Sequence, residues 1–179
     1  MKLWKKLNTR EILKGRIFSY KQVEYQSQTS DKRGDFDVID FADWVNIIAV
    51  TPENKIVFVK QFRAGTESIT LEIPGGAMEP NESPLECAVR ELEEESGYQA
   101  EEFQQIGMVE PNPAFMGNKC YTYLAKNCRP TGKQNFDPLE EITVEEIDSN
   151  KVKQLLKAGE ITHSLIVAAF YWYYSSEQL

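Results

Sequence analysis

Glu91, Glu94 and Glu95 crowd three carboxylates into five residues, in a stretch that opens on Ser83-Pro84 and stops at Gly97. Like charges one turn apart on a helix repel by roughly a few tenths of a kcal/mol per pair, so the cluster needs compensation. A bound divalent cation supplies it, and hard oxygen donors suit Mg²⁺, Mn²⁺ or Ca²⁺ rather than zinc. The element that must hold the acids is legible in the same letters. Ser83 suits the N-cap, Pro84 the first helical position, and Glu86 completes a Ser-x-x-Glu capping box. The spacing predicts a helix starting at Pro84, with Leu85, Ala88, Val89 and Leu92 as its core-facing stripe and Gly97 as its C-terminal stop. Arg90 stands four residues after Glu86 and four before Glu94, within reach of a carboxylate.

A charged helix by itself reads as a solvated face. Here the register decides. Residues 76–98 resemble, position by position, the signature of the Nudix hydrolases, G-x5-E-x7-R-E-U-x-E-E-x-G-U, in which U is a bulky apolar residue. The matching residues are Gly76, Glu82, Arg90, Glu91, Leu92, Glu94, Glu95, Gly97 and Tyr98, the last aromatic rather than aliphatic. The resemblance implies an α/β fold, an α/β/α sandwich with a central mixed sheet. It also implies Mg²⁺ as cofactor, with Mn²⁺ able to substitute. By the same resemblance Glu91 and Glu95 are direct ligands, helped by the Gly75 carbonyl and more peripherally by Glu94, with Glu95 also counted as catalytic. Gly76, Glu82, Arg90 and Gly97 are the structural positions of the box. The family recruits a further acid from a late loop, which points to Glu140 and Glu141, with Glu140 favoured as general base or extra ligand.

The box reports a reaction, the hydrolysis of a nucleoside diphosphate linked to another moiety, and leaves the substrate to residues outside it. Three features resemble the ADP-ribose pyrophosphatase and nucleoside diphosphate sugar hydrolase branch: Gln61-Phe62-Arg63, Leu71-Glu72-Ile73-Pro74-Gly75-Gly76, and Pro113 sixteen residues after Gly97. The loop Pro111–Asn118 departs from that branch's Ser-Pro-Gly version and favours a broader range of sugar nucleotides. The resemblance therefore implies Arg63, Glu72, Gly76 and Asn118 as substrate contacts, with Phe18 or Tyr20 available to stack on a base. The alternatives are a strict ADP-ribose pyrophosphatase and a nucleotide sensor without catalysis.

A chain of 179 residues with formal net charge −8 fits one soluble globular domain and speaks against a nucleic-acid partner or an RNA-decapping role, because phosphate-backbone binding is driven by Lys and Arg. Cys87, Cys120 and Cys128 make neither zinc spacing nor an even disulfide set, so a reducing cytoplasm is the expected home. The opening residues lack the apolar core of a signal peptide, and the apolar run Leu165–Tyr174 is too short to span a bilayer. No membrane partner is expected.

Strands are predicted at 15–26, 35–41, 44–50, 56–62, 69–73, 102–109, 119–125 and 141–147, with 27–34, 74–76 and 110–118 as loops. Helices are predicted at 149–157 and 162–174, separated by Gly159, with His163 as a helix-start or packing residue and the aromatic run 170–174 as core and subunit surface. Residues 1–43 read as a strand extension belonging to a homodimer interface, and 44–179 as the hydrolase domain, with a small-molecule sugar nucleotide as the partner.

Overall fold

The computed structural model describes residues 3–136 and 141–176. The chain divides into two compact units, Met1–Asp43 with Glu110–Lys119, and Trp44–Val109 with Cys120–Leu179. The first is an antiparallel meander of β1 (Trp4–Lys14), β2 (Phe18–Ser27) and β3 (Arg33–Phe41). β1 was absent from the sequence expectation. All eleven of its residues are exposed, so it carries no alternation of buried and exposed positions to betray it. Its register on β2 is interrupted twice, between Lys6 and Asn8 and between Glu11 and Leu13, and an aromatic cluster of Trp4, Tyr25 and Phe36 ties the three strands across one face. Glu110–Lys119 joins this unit through Ile39 N–H donating to the Phe115 carbonyl (2.8 Å) and Lys119 N–H donating to Asp43 Oδ1 (2.7 Å).

The second unit is built on a seven-stranded mixed sheet. Its main path runs β12 (Ile142–Asp148), β5 (Lys55–Arg63), β4 (Trp44–Val50), β10 (Cys120–Lys126), β9 (Glu102–Val109); β6 (Ser68–Glu72) pairs with β5 and β7 (Gly75–Ala77) with β4. The β4–β10 pair is parallel and the others antiparallel. Period-2 alternation sends successive strand residues to two cores. Val45, Ile47, Ala49 and Val57 pack with Cys87, Ala88 and Leu92 of the acidic segment. Ile48, Ile56 and Phe58 pack with Val152, Ile166, Ala169 and Phe170 of α2 (Ser149–Ala158) and α3 (Ser164–Ser176). Helices thus cover both faces, the expected sandwich.

Two short pieces were not foreseen as strands. Gly75 and Gly76, expected within a loop at 74–76, belong with Ala77 to a strand that pairs in register with Trp44–Asn46. β8 (Tyr98–Gln99) pairs with β11 (Arg129–Pro130) to form a two-stranded ribbon. α2 is capped by Asp148, whose side chain accepts from Asn150 N–H (2.8 Å), and stops at Gly159 in the left-handed region (φ 73°). Phe170 stacks on Phe58 at 5.9 Å and Tyr173 is buried, so much of the aromatic run is core; Tyr171 is exposed. Among the described residues no helix is long and apolar enough to cross a membrane.

Candidate active site

The acidic segment is two elements rather than one. α1 (Pro84–Glu91) begins with the full capping box: Glu86 N–H donates to Ser83 Oγ (3.3 Å) and Ser83 N–H to Glu86 Oε2 (2.8 Å). It passes directly into a π turn, Leu92–Ser96, which ends on Gly97 in the left-handed region (φ 71°). A π turn adds backbone between consecutive turns and is found most often at functional sites. Here it carries Glu94 and Glu95. The core-facing stripe also differs from expectation. Cys87, Ala88 and Leu92 are fully buried, whereas Leu85 and Val89 are exposed, because α1 lies on the sheet by a narrow seam and turns its acidic side toward β7.

Arg90 is the hub of that side. Its Nε and Nη2 grip Glu82 in a two-pronged pair (2.8 and 2.9 Å), and Nη1 donates to Glu91 (2.8 Å) and to Glu94 (3.0 Å). Nη2 also reaches the Ala77 carbonyl at 3.3 Å, tying α1 to β7. Glu82 in turn accepts from Glu79 N–H (2.9 Å). The guanidinium, opposed by partial burial and helped by that backbone N–H, holds the Glu82 carboxyl down at about 2. Its side chain is 12% exposed, so the pairing contributes to stability through the difference between the folded and unfolded pKa. A depressed carboxyl stabilises fully above its unfolded pKa of 4.5 and stops doing so as pH falls through about 2. Thermal melts of chelated protein are therefore expected to lose stability from pH 4.5 downward, and Glu82→Gln to start lower and fall less steeply over that range; equal slopes would contradict the pairing.

Glu95 is 4% exposed, and its Oε2 accepts from Gly75 N–H at 2.9 Å. Gly75 and Gly76 are needed for close approach rather than for unusual dihedrals: the positive-φ glycines among the described residues are 97, 132 and 159. A Cβ on Gly75 would lie 2.3 Å from the Val45 carbonyl, and one on Gly76 would lie 2.3 Å from the Glu91 carboxylate. Gly76→Ala is accordingly expected to push Glu91 aside and cut turnover by about 10²-fold, the scale of a misplacement near 1 Å. Steady-state kinetics that match the unmodified protein would contradict this packing.

Glu95 and Glu91 thus meet two adjacent glycines, Glu95 at Gly75 N–H and Glu91 at Gly76, while Glu94 shares Arg90 with Glu91. Among the described residues no three His, Cys, Asp or Glu side chains close into a cage. The donor chemistry still fits a small hard cation, since Mg²⁺ is commonly held by one or two carboxylates together with waters and substrate phosphates.

Arg63 and Glu72 meet each other. Arg63 Nε donates to Glu72 Oε1 and Nη2 to Oε2, both at 2.8 Å, and Thr70 Oγ1 also donates to Oε1. Burial pushes the Glu72 carboxyl up, but the hydrogen bonds from Arg63 and Thr70 and the arginine charge, with a smaller contribution from His163, bring it below the ordinary value. Glu72 is 3% exposed and therefore acts here as the brace of Arg63. The chain's one histidine, His163, sits at the start of α3, its Nδ1 accepting from Leu165 N–H (3.3 Å).

Glu141 is exposed just before β12, and Glu140 lies outside the described residues. Asn118 belongs to the first unit; its amide is buried, with no hydrogen-bond partner for either atom among the described residues. Phe18 packs against Phe41 at 5.7 Å and Tyr20 donates to Asp37 (2.6 Å), both within the first unit. Tyr98 explains its aromatic exception in the box: the ring joins the core and the hydroxyl donates to Glu146 (2.7 Å).

With this geometry in place, comparison with known proteins is decisive. A NUDIX domain model matches residues 41–170. The chain belongs to the Nudix hydrolase family. Over 98% of its length, and 95% of the relative's, it is 32% identical to a methanol dehydrogenase activator of Bacillus methanolicus. It is 33% identical to an ADP-ribose pyrophosphatase of Bacillus subtilis strain 168, across 88% of each chain. The crystal structure of an ADP compounds hydrolase superposes with a TM-score of 0.86 over 99% of this chain and 96% of that one; at 20% identity this speaks to the fold. The Nudix chain is an enzyme, a hydrolase of a pyrophosphate bond, and the family works with a divalent metal.

Proposed function

We propose that this Nudix hydrolase cleaves the pyrophosphate bond of nucleoside diphosphate sugars, ADP-ribose and related sugar nucleotides, to a nucleoside monophosphate and a sugar phosphate, with Mg²⁺ as the working ion. The observation that carries this reading is that Glu91 and Glu95 meet the adjacent Gly76 and Gly75, in the unit that also holds the Arg63–Glu72 pair. Glu91 and Glu95 would hold a divalent ion, with the Gly75 carbonyl as a further donor, and Arg90 keeps the acids spaced. The ion would supply a lowered pKa for a water and neutralisation of charge on the phosphoryl oxygens. Arg63 presents a fixed planar donor suited to a phosphate or a sugar hydroxyl. Asn118, whose buried amide has no hydrogen-bond partner among the described residues, stays a proposed substrate contact.

Glu140 is the proposed general base, with Glu141 as the alternative. Glu140→Gln is expected to slow turnover by roughly 10²-fold or more, the usual contribution of such a group; an unchanged rate transfers the role. The reaction is tested by incubating the protein and Mg²⁺ with ADP-ribose, ADP-, GDP- and UDP-sugars, dinucleoside polyphosphates and nucleoside triphosphates, with products separated by anion exchange. Monophosphate plus sugar phosphate supports the reading. Release of inorganic pyrophosphate from triphosphates, or binding without products, contradicts it. The full-length likeness to a methanol dehydrogenase activator favours a second reading, in which the same hydrolysis serves to activate a dehydrogenase. We further place the protein in the cytoplasm and assign the dimer interface to residues 1–43 of a homodimer. The support is β1, an edge strand exposed along its length with Ile12 and Leu13 uncovered.

A further inference from the structure

The π turn that carries Glu94 and Glu95 ends where a helix leaves its last carbonyls without intrahelical partners, and such groups must be satisfied from outside. The partners can be counted. Leu92 O accepts from Ser96 Oγ and Glu93 O from Gly97 N–H at 2.8 Å. Three further acceptors, the carbonyls of Glu94, Glu95 and Gly97, are met by one segment far along the chain. Glu94 O accepts from Asn135 N–H (3.1 Å), Glu95 O from Gln134 Nε2 (3.0 Å), and Gly97 O from both Thr131 N–H (2.7 Å) and Thr131 Oγ1 (2.9 Å).

This strap is itself anchored. It leaves the ribbon in which Arg129 and Pro130 of β11 pair with Gln99 and Tyr98 of β8, and turns at Gly132 in the left-handed region (φ 73°). Lys133 N–H donates to Thr131 Oγ1 (3.3 Å). The Gln134 stem lies over Gly97, where an added Cβ would come within 3.0 Å of its Cγ. Left-handed φ and this contact together make Gly97 more than a helix stop: a side chain there would be strained and would press on the Gln134 stem.

We infer that Gln134 is a positioning residue for the metal-holding turn, its side-chain amide fixing the Glu95 backbone while Gly75 N–H holds the Glu95 carboxylate. Glu95 is then held at both ends. Its carboxylate is aimed by Gly75 N–H and its carbonyl is pinned by Gln134, so the residue has one orientation toward a bound ion. Of the bonds that the strap makes to Glu94 and Glu95, the Gln134 bond is the one made by a side chain, and Gln134 is exposed, so it can be removed without opening the core.

The inference rests on the reading of Glu91–Glu95 as the cation site, and the test separates the two. Mn²⁺ alone is titrated into the full chain, with free ion followed by its electron paramagnetic resonance signal, for the unmodified protein, Gln134→Met and Lys133→Ala. Methionine keeps the stem over Gly97 and deletes the donor. Gln134→Met is expected to bind Mn²⁺ about tenfold more weakly, the low end of what outer contacts to a metal site contribute. Lys133→Ala is expected to match the unmodified protein within twofold, with melting temperatures of all three in chelator close together. Gln134→Met affinity within twofold of the unmodified protein overturns the inference, whether or not its melting temperature falls, because that pattern is a stability role or none. An unmodified protein that takes up no Mn²⁺ overturns the cation reading as well.

Discussion

Glu95→Gln is expected to lower metal-dependent turnover on the order of 10³-fold or more, the scale on which a single group that stabilises developing charge contributes, with the fold intact. The substitution is chosen to separate charge from shape. Glutamine keeps the length of the side chain and an oxygen that can still accept from Gly75 N–H, the 2.9 Å contact that ties the π turn to β7. What it removes is one negative charge at a site 4% exposed, where water cannot make good the loss. Circular dichroism and the thermal melt in chelator should therefore match the unmodified protein, while Mn²⁺ affinity and turnover fall together. Full turnover in Glu95→Gln would remove the residue from the reaction. A collapsed fold would make it a structural acid instead.

Arg90→Met is expected to have the other large effect, and on stability first. The guanidinium spans Glu82, Glu91 and Glu94, whose side chains are 12%, 13% and 35% exposed. Methionine retains much of the stem but leaves three partly buried carboxylates without that shared counter-charge. Removing one member of a buried charge network costs about 3–5 kcal/mol; with Arg90 itself a quarter exposed, about 2–4 kcal/mol is the expectation, a fall in melting temperature of roughly 5–15 °C for a chain of this size. Millimolar Mg²⁺ should restore part of it, because a cation that binds the native acids and not the unfolded chain stabilises by mass action. Melts in chelator and in Mg²⁺ decide the matter. A melting temperature unmoved by the substitution, or a deficit that Mg²⁺ leaves untouched, would contradict Arg90 as the group that offsets the cluster's repulsion.

What could be read in the letters was what is local. The capping box at Ser83 and Glu86, the stop at Gly97 and the strands at 44–50 and 102–109 follow from neighbours within a few residues, and the structure has them. The sandwich followed from the box. Features that depend on distant partners were out of reach. No local signal distinguishes a π turn at Leu92–Ser96 from a continued α-helix, because the widened turn is matched to a strap 34 residues beyond Gly97, as in the Thr131 contact. The mutual pairing of Arg63 and Glu72 was likewise hidden. Each reads from sequence as a group facing substrate; in the β5–β6 register Arg63 is opposite Ser68 and Glu72 opposite Val59, and the pair is closed by side chains reaching along the strands, which no local spacing reveals. β1 escaped for the opposite reason, since a strand exposed at every position has nothing to alternate. Leu85 and Val89 show the limit of periodicity itself: the stripe was found at helical spacing, but the helix is rotated so that Cys87 enters the core and those two stay in solvent.

The central claim is that the Glu91–Glu95 turn, backed by Gly75 and Gly76, holds a cation against a diphosphate. Anomalous diffraction from a crystal grown with Mn²⁺ and a non-hydrolysable sugar nucleotide tests it most directly. The account predicts a peak at metal–oxygen distances of about 2.0–2.2 Å from carboxylate oxygens of Glu91 and Glu95, bridged to the diphosphate and within reach of the Gly75 carbonyl. A diphosphate bound with its metal elsewhere, and those two carboxylates turned to bulk water, would contradict it.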